Sequence, residues 1–226
     1  MFLSILFASP VQTTSVISHL IPDMYKAHQE LPATSSFAAI ASLLHFLATA
    51  YPSQNRYFEH LATVPTALLR PDALRWLKDL TRSLRQQNFA RLEQLTSRSA
   101  VIKALPEEAR PRPSSETSTT GAPSNLALEA LCTLLDVLRS RARDTTWAIL
   151  RSAYRELSCP KPTGDAVLST REWLLRSLAL RNVGFIKDGS DDETLLDLWM
   201  QQRVTLGDLR AKEGIEGRWI VCKVKA

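Results

Sequence analysis

A chain of 226 residues that is 45% hydrophobic can bury one large core or two small ones, and with only seven glycines an all-β fold is excluded on composition. Its formal charge of +5, from 28 basic and 23 acidic residues, permits a nucleic-acid partner but lacks the bias of a histone-like binder. Cys132, Cys159 and Cys222, odd in number and far apart, fit free thiols in a reducing compartment better than a disulfide framework.

The first residues, Met1 to Ala8, resemble a signal-peptide core in hydropathy, but they lack a basic leader, are broken by Pro10 and are too short to span a membrane. They are expected to dock on the first helix. That helix is predicted from Gln12 to Gln29, with Val16, Leu20, Ile21 and Met24 on one face and Pro22 placed to kink it. A second runs from Ser35 to Tyr51, where Phe37, Ile40, Leu44, Leu47 and Tyr51 share a face and Pro52 ends it. The two should pack antiparallel. Shorter helices follow from Ser53 to Val64 and from Asp72 to Gln87, separated by Pro65 and Pro71, and another begins at Asn88. Pair upon pair of helices is a solenoid-like architecture, although no repeat of fixed length accompanies it.

Between Pro106 and Pro123 the segment is rich in Pro, Ser, Thr and Glu and has almost nothing to bury, which predicts a disordered insert that folding does not need. Leu128, Leu131, Leu135 and Leu138 resume helical spacing, and a further helix is predicted from Thr145 to Leu157 with Trp147, Leu150, Ala153 or Tyr154, and Leu157 inward. After Pro162 the texture changes. Ser169 with Glu172, and Ser190 with Glu193, read as capping boxes that open helices from Thr170 to Leu180 and from Asp191 to Gln202. Val204 to Leu206 is then predicted as one strand and Arg218 to Lys225 as a second. In the second, Ile220, Cys222 and Val224 are expected inward and Trp219, Val221, Lys223 and Lys225 outward. Three helices followed by a β-hairpin is the winged-helix order. The fold class is therefore mainly α: a helical-repeat part over residues 1–158, with its insert at 106–123, and a winged-helix part over 159–226.

Chemistry leaves few traces. No C-x-x-C or H-x-x-x-H pair suggests a metal site, and no G-x-G-x-x-G, G-x-x-x-x-G-K or G-x-S-x-G is present. His19, His28, His45 and His60 stand singly on predicted helices, and Asp191, Asp192 and Glu193 suit a helix N-terminus better than an acid/base site. The chain is expected to be no enzyme, with no cofactor, no small-molecule substrate and no membrane association. Two basic features remain. Arg75, Lys78, Arg82 and Arg85 align on one face of the Asp72 helix, either as a solvated face or as a stripe for phosphates or an acidic partner. Trp219, Lys223 and Lys225, with Arg210, Lys212 and Arg218 nearby, form a candidate nucleic-acid surface on the hairpin; otherwise Trp219 covers the neighbouring helix. The stretch from Lys161 to Lys225 is only slightly basic, so strong sequence-independent binding is not expected.

Helical pairs ending in a winged helix resemble PCI domains, the scaffold modules of the proteasome lid, the signalosome and initiation-factor assemblies. Four strings narrow this: Ser36 to Leu47, Asn88 to Leu92, Leu138 to Ala142 and Ile149 to Arg155, the last two arginine-rich with Tyr154. They are similar to segments of the SAC/GANP (leucine permease transcriptional regulator) family. The Met-Cys-Pro segment that such proteins carry upstream does not occur here, and the insert at 106–123 interrupts the domain. The resemblance implies a nuclear scaffold, with the cytoplasm as a second location, acting in mRNA export or transcription-coupled mRNA processing. Its implied partners are other PCI subunits in a multisubunit complex, with weak contact to RNA or DNA. The alternative is a lid-like or signalosome-like subunit with no nucleic-acid role.

Overall fold

The computed structural model describes residues 1–27, 32–105, 122–160, 170–181, 183 and 190–223. Most of the 106–123 insert, together with His28, Ser169, Val224 and Lys225, lies outside the described residues. The chain forms a mainly α, multi-helix fold with a small, open three-stranded antiparallel sheet.

A short helix α1 (Phe2–Leu6) comes first, and its Ile5 is buried while Met1, Phe2 and Leu6 pack against the core, chiefly through α8 below. Helix α2 (Pro10–Ala27) continues past Pro22. Of its side chains through Leu20, Thr13 and Ile17 are buried, Val16 is half-buried and Leu20 is exposed; Ile21 and Met24 lie outside the described side chains. Helix α3 (Pro32–Ala50) is apolar on almost every side, from Phe37 to Ala48, and is accordingly the central helix, flanked by α2, by α4 (Asn55–Thr63) and by α8.

Pro71 opens α5 (Pro71–Arg85), where a missing N–H costs nothing, and Trp76, Leu77, Leu80 and Leu84 turn inward. Asn88 caps α6 (Phe89–Leu95), its side chain accepting from the Arg91 amide at 3.0 Å, and Ser97 caps α7 (Arg98–Ala104) in the same way at 3.3 Å. Helix α8 (Ala122–Ala153) is one continuous helix of 32 residues, not the two expected, because neither Gly nor Pro interrupts it after Pro123. Trp147 and Leu150 turn inward from it, whereas Ala153 and Tyr154 are exposed; Leu157 is buried too, from a strand rather than a helix.

Strand β1 (Glu156–Ser158) follows, then α9 (Thr170–Ser177), α10 (Ser190–Thr205), β2 (Leu209–Ala211) and β3 (Arg218–Val221). The sheet order is β1-β3-β2, with both pairings antiparallel. Val204 and Thr205 belong to the last turn of α10, not to a strand. Gly207, at φ +75°, ends the helix: its amide donates to the Val204 carbonyl at 2.9 Å and the Asp208 amide to the Arg203 carbonyl at 2.8 Å.

Two apolar clusters result. The larger gathers α1 and α3 to α7 around α8 as far as Ala142, and takes in Val183. The smaller begins at Trp147 on the same helix and closes with Leu157, Leu174, Leu178, Leu196, Trp199, Leu209 and Val221.

Candidate functional site

The arginines of α8 are structural braces. Arg139 is buried; its Nε donates to Thr96 Oγ1 at 2.6 Å, one Nη to the Glu93 carbonyl at 2.9 Å and the other to the Arg181 carbonyl. Arg143 donates to the carbonyls of Leu178 and Ala179, each at 2.9 Å, beyond the end of α9. A guanidinium presents its donors in a rigid fork, which suits the orphan carbonyls at helix ends. Further along, Arg151 binds the Cys222 carbonyl at 2.8 Å and Asp208 at 2.7 Å. Asp208 also accepts from Trp147 Nε1 at 2.9 Å and pairs with Arg203 at 3.4 Å, whose guanidinium lies over Trp147 and Trp199. These cations are engaged within the fold.

The sheet has an inner and an outer face, and the hairpin residues divide between them. Register places Arg210 opposite Ile220 and Glu156 opposite Ile220 on the other side, while Ser158 lies opposite Arg218. The Lys212 amide donates to the Arg218 carbonyl at 2.9 Å, continuing the ladder by one pair. With alternation, Arg210, Lys212, Arg218, Glu156 and Ile220 share one face, and Leu157, Leu209, Trp219 and Val221 share the other. The second face is the buried one: Leu157, Leu209 and Val221 belong to the smaller core and Trp219 packs against it. This overturns the expected orientation of β3, which put Ile220 inward and Trp219 outward. Trp219 instead lines a cavity of about 240 Å³ with Cys159, Arg171 and Asp197. Gly217 fixes the approach, since a Cβ there would lie 2.6 Å from Pro160 Cα.

Three cations therefore gather on the solvent side of the sheet. Arg210 and Arg218 are exposed, and Lys212 is half-buried with its Nζ 2.8 Å from Glu156. Lys212, first by hydrogen bonding, holds the Glu156 carboxyl below its usual range, aided by the charge of Arg218. Lys223 is exposed just beyond β3. On α5, Arg75, Lys78, Arg82 and Arg85 are all exposed, as the spacing predicts, with Asp72 3.7 Å from Arg75. Helix α10 is different: it exposes Thr194, Leu198, Gln201, Gln202 and Val204 and no cation among the described residues.

A groove of about 640 Å³ runs between α6, β1 and α9, lined by Ala90, Tyr154, Ser158, Trp173 and Arg176 among others. Tyr154 is 45% and Trp173 39% exposed, and their rings meet edge-on with centroids 5.9 Å apart. The edge of β1 borders it. Val221 N donates to the Arg155 carbonyl at 2.9 Å and Cys159 N to the Gly217 carbonyl at 2.7 Å, so the backbone groups of Glu156 and Ser158 face away from β3. The helical spacing puts Ala153 or Tyr154 inward, and both are exposed; only the approach of α9 to the end of α8 brings Tyr154 and Trp173 together.

Sequence also gave no sign that two histidines lie close in space. His45 Nε2 and Thr14 Oγ1 are 2.8 Å apart, linking α3 to α2, while His60 Nε2 and Ser42 Oγ are 2.8 Å apart, linking α4 to α3. Phe46 touches both rings. Burial, with a smaller contribution from His60, lowers the His45 pKa from 6.5 to about 4, and burial lowers that of His60 as well. The unfolded chain takes up a proton that the folded state refuses. The His45 contribution to stability is thus full above pH 6.5 and is lost as pH drops toward 4, about 3 kcal/mol in all. Urea unfolding across that range should show this slope, and His45→Gln should remove most of it; an unchanged slope would place the acid sensitivity elsewhere.

Among the described residues, no group of three or more His, Cys, Asp or Glu side chains is arranged to hold a metal ion, and no helix is long and apolar enough to cross a membrane. Cys132 and Cys159 are buried thiols whose pKa desolvation pushes up to about 11. Compared with protein-family models, with curated proteins and with solved structures, the chain matches none.

Proposed function

We propose that the chain is a non-enzymatic, PCI-type helical scaffold of the SAC/GANP kind, acting in the nucleus in mRNA export or transcription-coupled mRNA processing. It binds a partner PCI subunit and makes weak contact with nucleic acid. One observation supports this most: α8, β1, α9, α10, β2 and β3 follow in winged-helix order around a central β3, and the solvent face of that sheet gathers Arg210, Lys212 and Arg218. Cations on a small exposed face attract phosphates without reading bases. The edge of β1 away from β3, unpaired among the described residues, supports the partner half of the proposal, because such strand amides and carbonyls accept another chain.

The test is a titration of single-stranded RNA at two salt concentrations. Arg210→Glu with Arg218→Glu is expected to weaken binding evenly across sequences and to lower the salt slope by about 2, since two phosphate contacts are lost. Equal affinity of wild type and variant would remove the nucleic-acid role from this face. It would leave the second reading, a lid-like or signalosome-like subunit, which the β1 edge favours by itself.

A further inference from the structure

Exposed cations stand on both sides of the groove: Arg91 beside Ala90 on α6, and Arg210 and Arg218 on the outer face of the sheet. Arg85 closes the α5 stripe, and the next helix, α6, contributes Ala90 to the groove wall, with Arg91 exposed beside it. Helix α6 packs on both α5 and α9, so α5 stands one helix away from the groove. On the far side the wall is β1, whose Ser158 lies opposite Arg218 on β3. One strand spacing of about 5 Å separates the backbone of β1 from that of β3, which carries Arg218.

We propose that the groove takes an unstacked base of a single-stranded nucleic acid against Trp173, while the phosphates run from the α5 stripe to the outer face of the sheet. This rests on the nucleic-acid half of the proposed function and adds the strand form, the route and the stacking residues. Charge and stacking are divided along the route. Inside the groove Arg176 is held by Glu172 at 2.7 Å, and at its edge Lys212 is held by Glu156, so the flanks supply most of the attraction for phosphate. The centre supplies rings: an edge-on pair leaves ring surface open, and both residues remain more than one third exposed. Ser158, Thr170 and Ser177 offer hydrogen bonds to base edges there.

A duplex suits these surfaces poorly. A winged helix that reads duplex DNA sets a helix in the major groove and flanks it with phosphate contacts, yet the exposed face of α10 has no cation among its described residues and its sequence opens with Asp191, Asp192 and Glu193. A protein occupant is less favoured because Arg91 on one side and Arg210 and Arg218 on the other are exposed cations, which suit a polyanion.

The experiment compares an RNA strand of about 12 nucleotides, a fully abasic strand of the same length and the corresponding duplex, by fluorescence anisotropy. The base-bearing single strand should bind most tightly to the wild type. Trp173→Ala should weaken it roughly tenfold, leave the abasic strand unaffected and leave the salt slope unchanged, whereas Trp173→Phe should recover most of the loss. Arg82→Glu with Arg85→Glu should weaken both single strands alike and flatten the slope. If circular dichroism shows Trp173→Ala unfolded, Tyr154→Ala makes the same comparison. RNA binding that persists with Trp173→Ala and Tyr154→Ala both indifferent discards the groove and leaves the proposed function standing, and tighter binding of the duplex also discards it. Failure of the wild type to bind any of the three discards both, and turns attention to a protein occupant of the groove.

Discussion

Replacing Arg139 by alanine is expected to cost about 3–5 kcal/mol of folding stability, the largest loss of any single arginine change among the described residues. The side chain is 2% exposed and brings Thr96 Oγ1 and the carbonyls of Glu93 and Arg181 together at one guanidinium. Alanine would take that donor from Thr96 Oγ1 and from the Arg181 carbonyl, leave the Glu93 carbonyl with the Thr96 hydroxyl at 3.3 Å, and leave a void where the guanidinium was. Burial lowers the Arg139 pKa, against which the charges of Asp136 and Glu93 act. Arg139→Lys should recover little, because one ammonium cannot span three acceptors in a plane. Arg141 serves as the comparator: it is exposed and gives one hydrogen bond, to the Thr49 carbonyl at 2.6 Å, so Arg141→Ala should cost under about 1 kcal/mol. Urea unfolding followed by circular dichroism measures both. Equal losses at the two positions would mean that Arg139 is not the brace its contacts suggest.

The second large effect is at the sheet. Val221→Asp should cost roughly 3 kcal/mol or more, because Val221 is 6% exposed in the smaller core and a carboxylate there would have no partner. Ile220→Asp should cost under about 1 kcal/mol. Its side chain is on the outer face between Arg210 and Glu156 and near Arg218, where the cations offset the like charge of Glu156. Thermal melts of the two variants discriminate at once. If Ile220→Asp were the one to unfold, the inner and outer faces would be reversed, and with them the grouping of Arg210, Lys212 and Arg218 on the solvent side.

That reversal marks where the sequence stops being legible. Alternation sorts a strand into two faces only if the faces differ, and Trp219, Ile220, Val221 and Cys222 are apolar in succession. The parity is decided by partners remote in sequence, Leu157 and Leu209. Helices α3 and α5 were readable because their own residues carry the pattern: α3 is apolar nearly throughout, and α5 sorts leucines from cations every three or four residues. The apolar rhythm of α8 lapses between Arg139 and Asp144, which suggested a break. There the helix passes from one core to the other and uses arginines on backbone carbonyls instead of leucines on leucines. Val204 to Leu206 was misread because β-branched residues also occupy the last turn of a helix when a glycine follows. The α5 stripe was visible, as was the basic character of the hairpin. The groove was not, since Tyr154 and Trp173 lie on different elements and meet only through tertiary packing.

The length of α8 also bears on how the protein comes apart. Ala142 belongs to the larger cluster and Trp147 to the smaller, with no interruption of the helix between them. Unwinding that stretch removes support from both sides at once, so the two cores should melt as a single cooperative unit rather than as separable beads. The same continuity makes the helix a lever. A force or a bound partner at the sheet end is transmitted along one rod of hydrogen bonds to the helices of the larger cluster, without a hinge loop to absorb it.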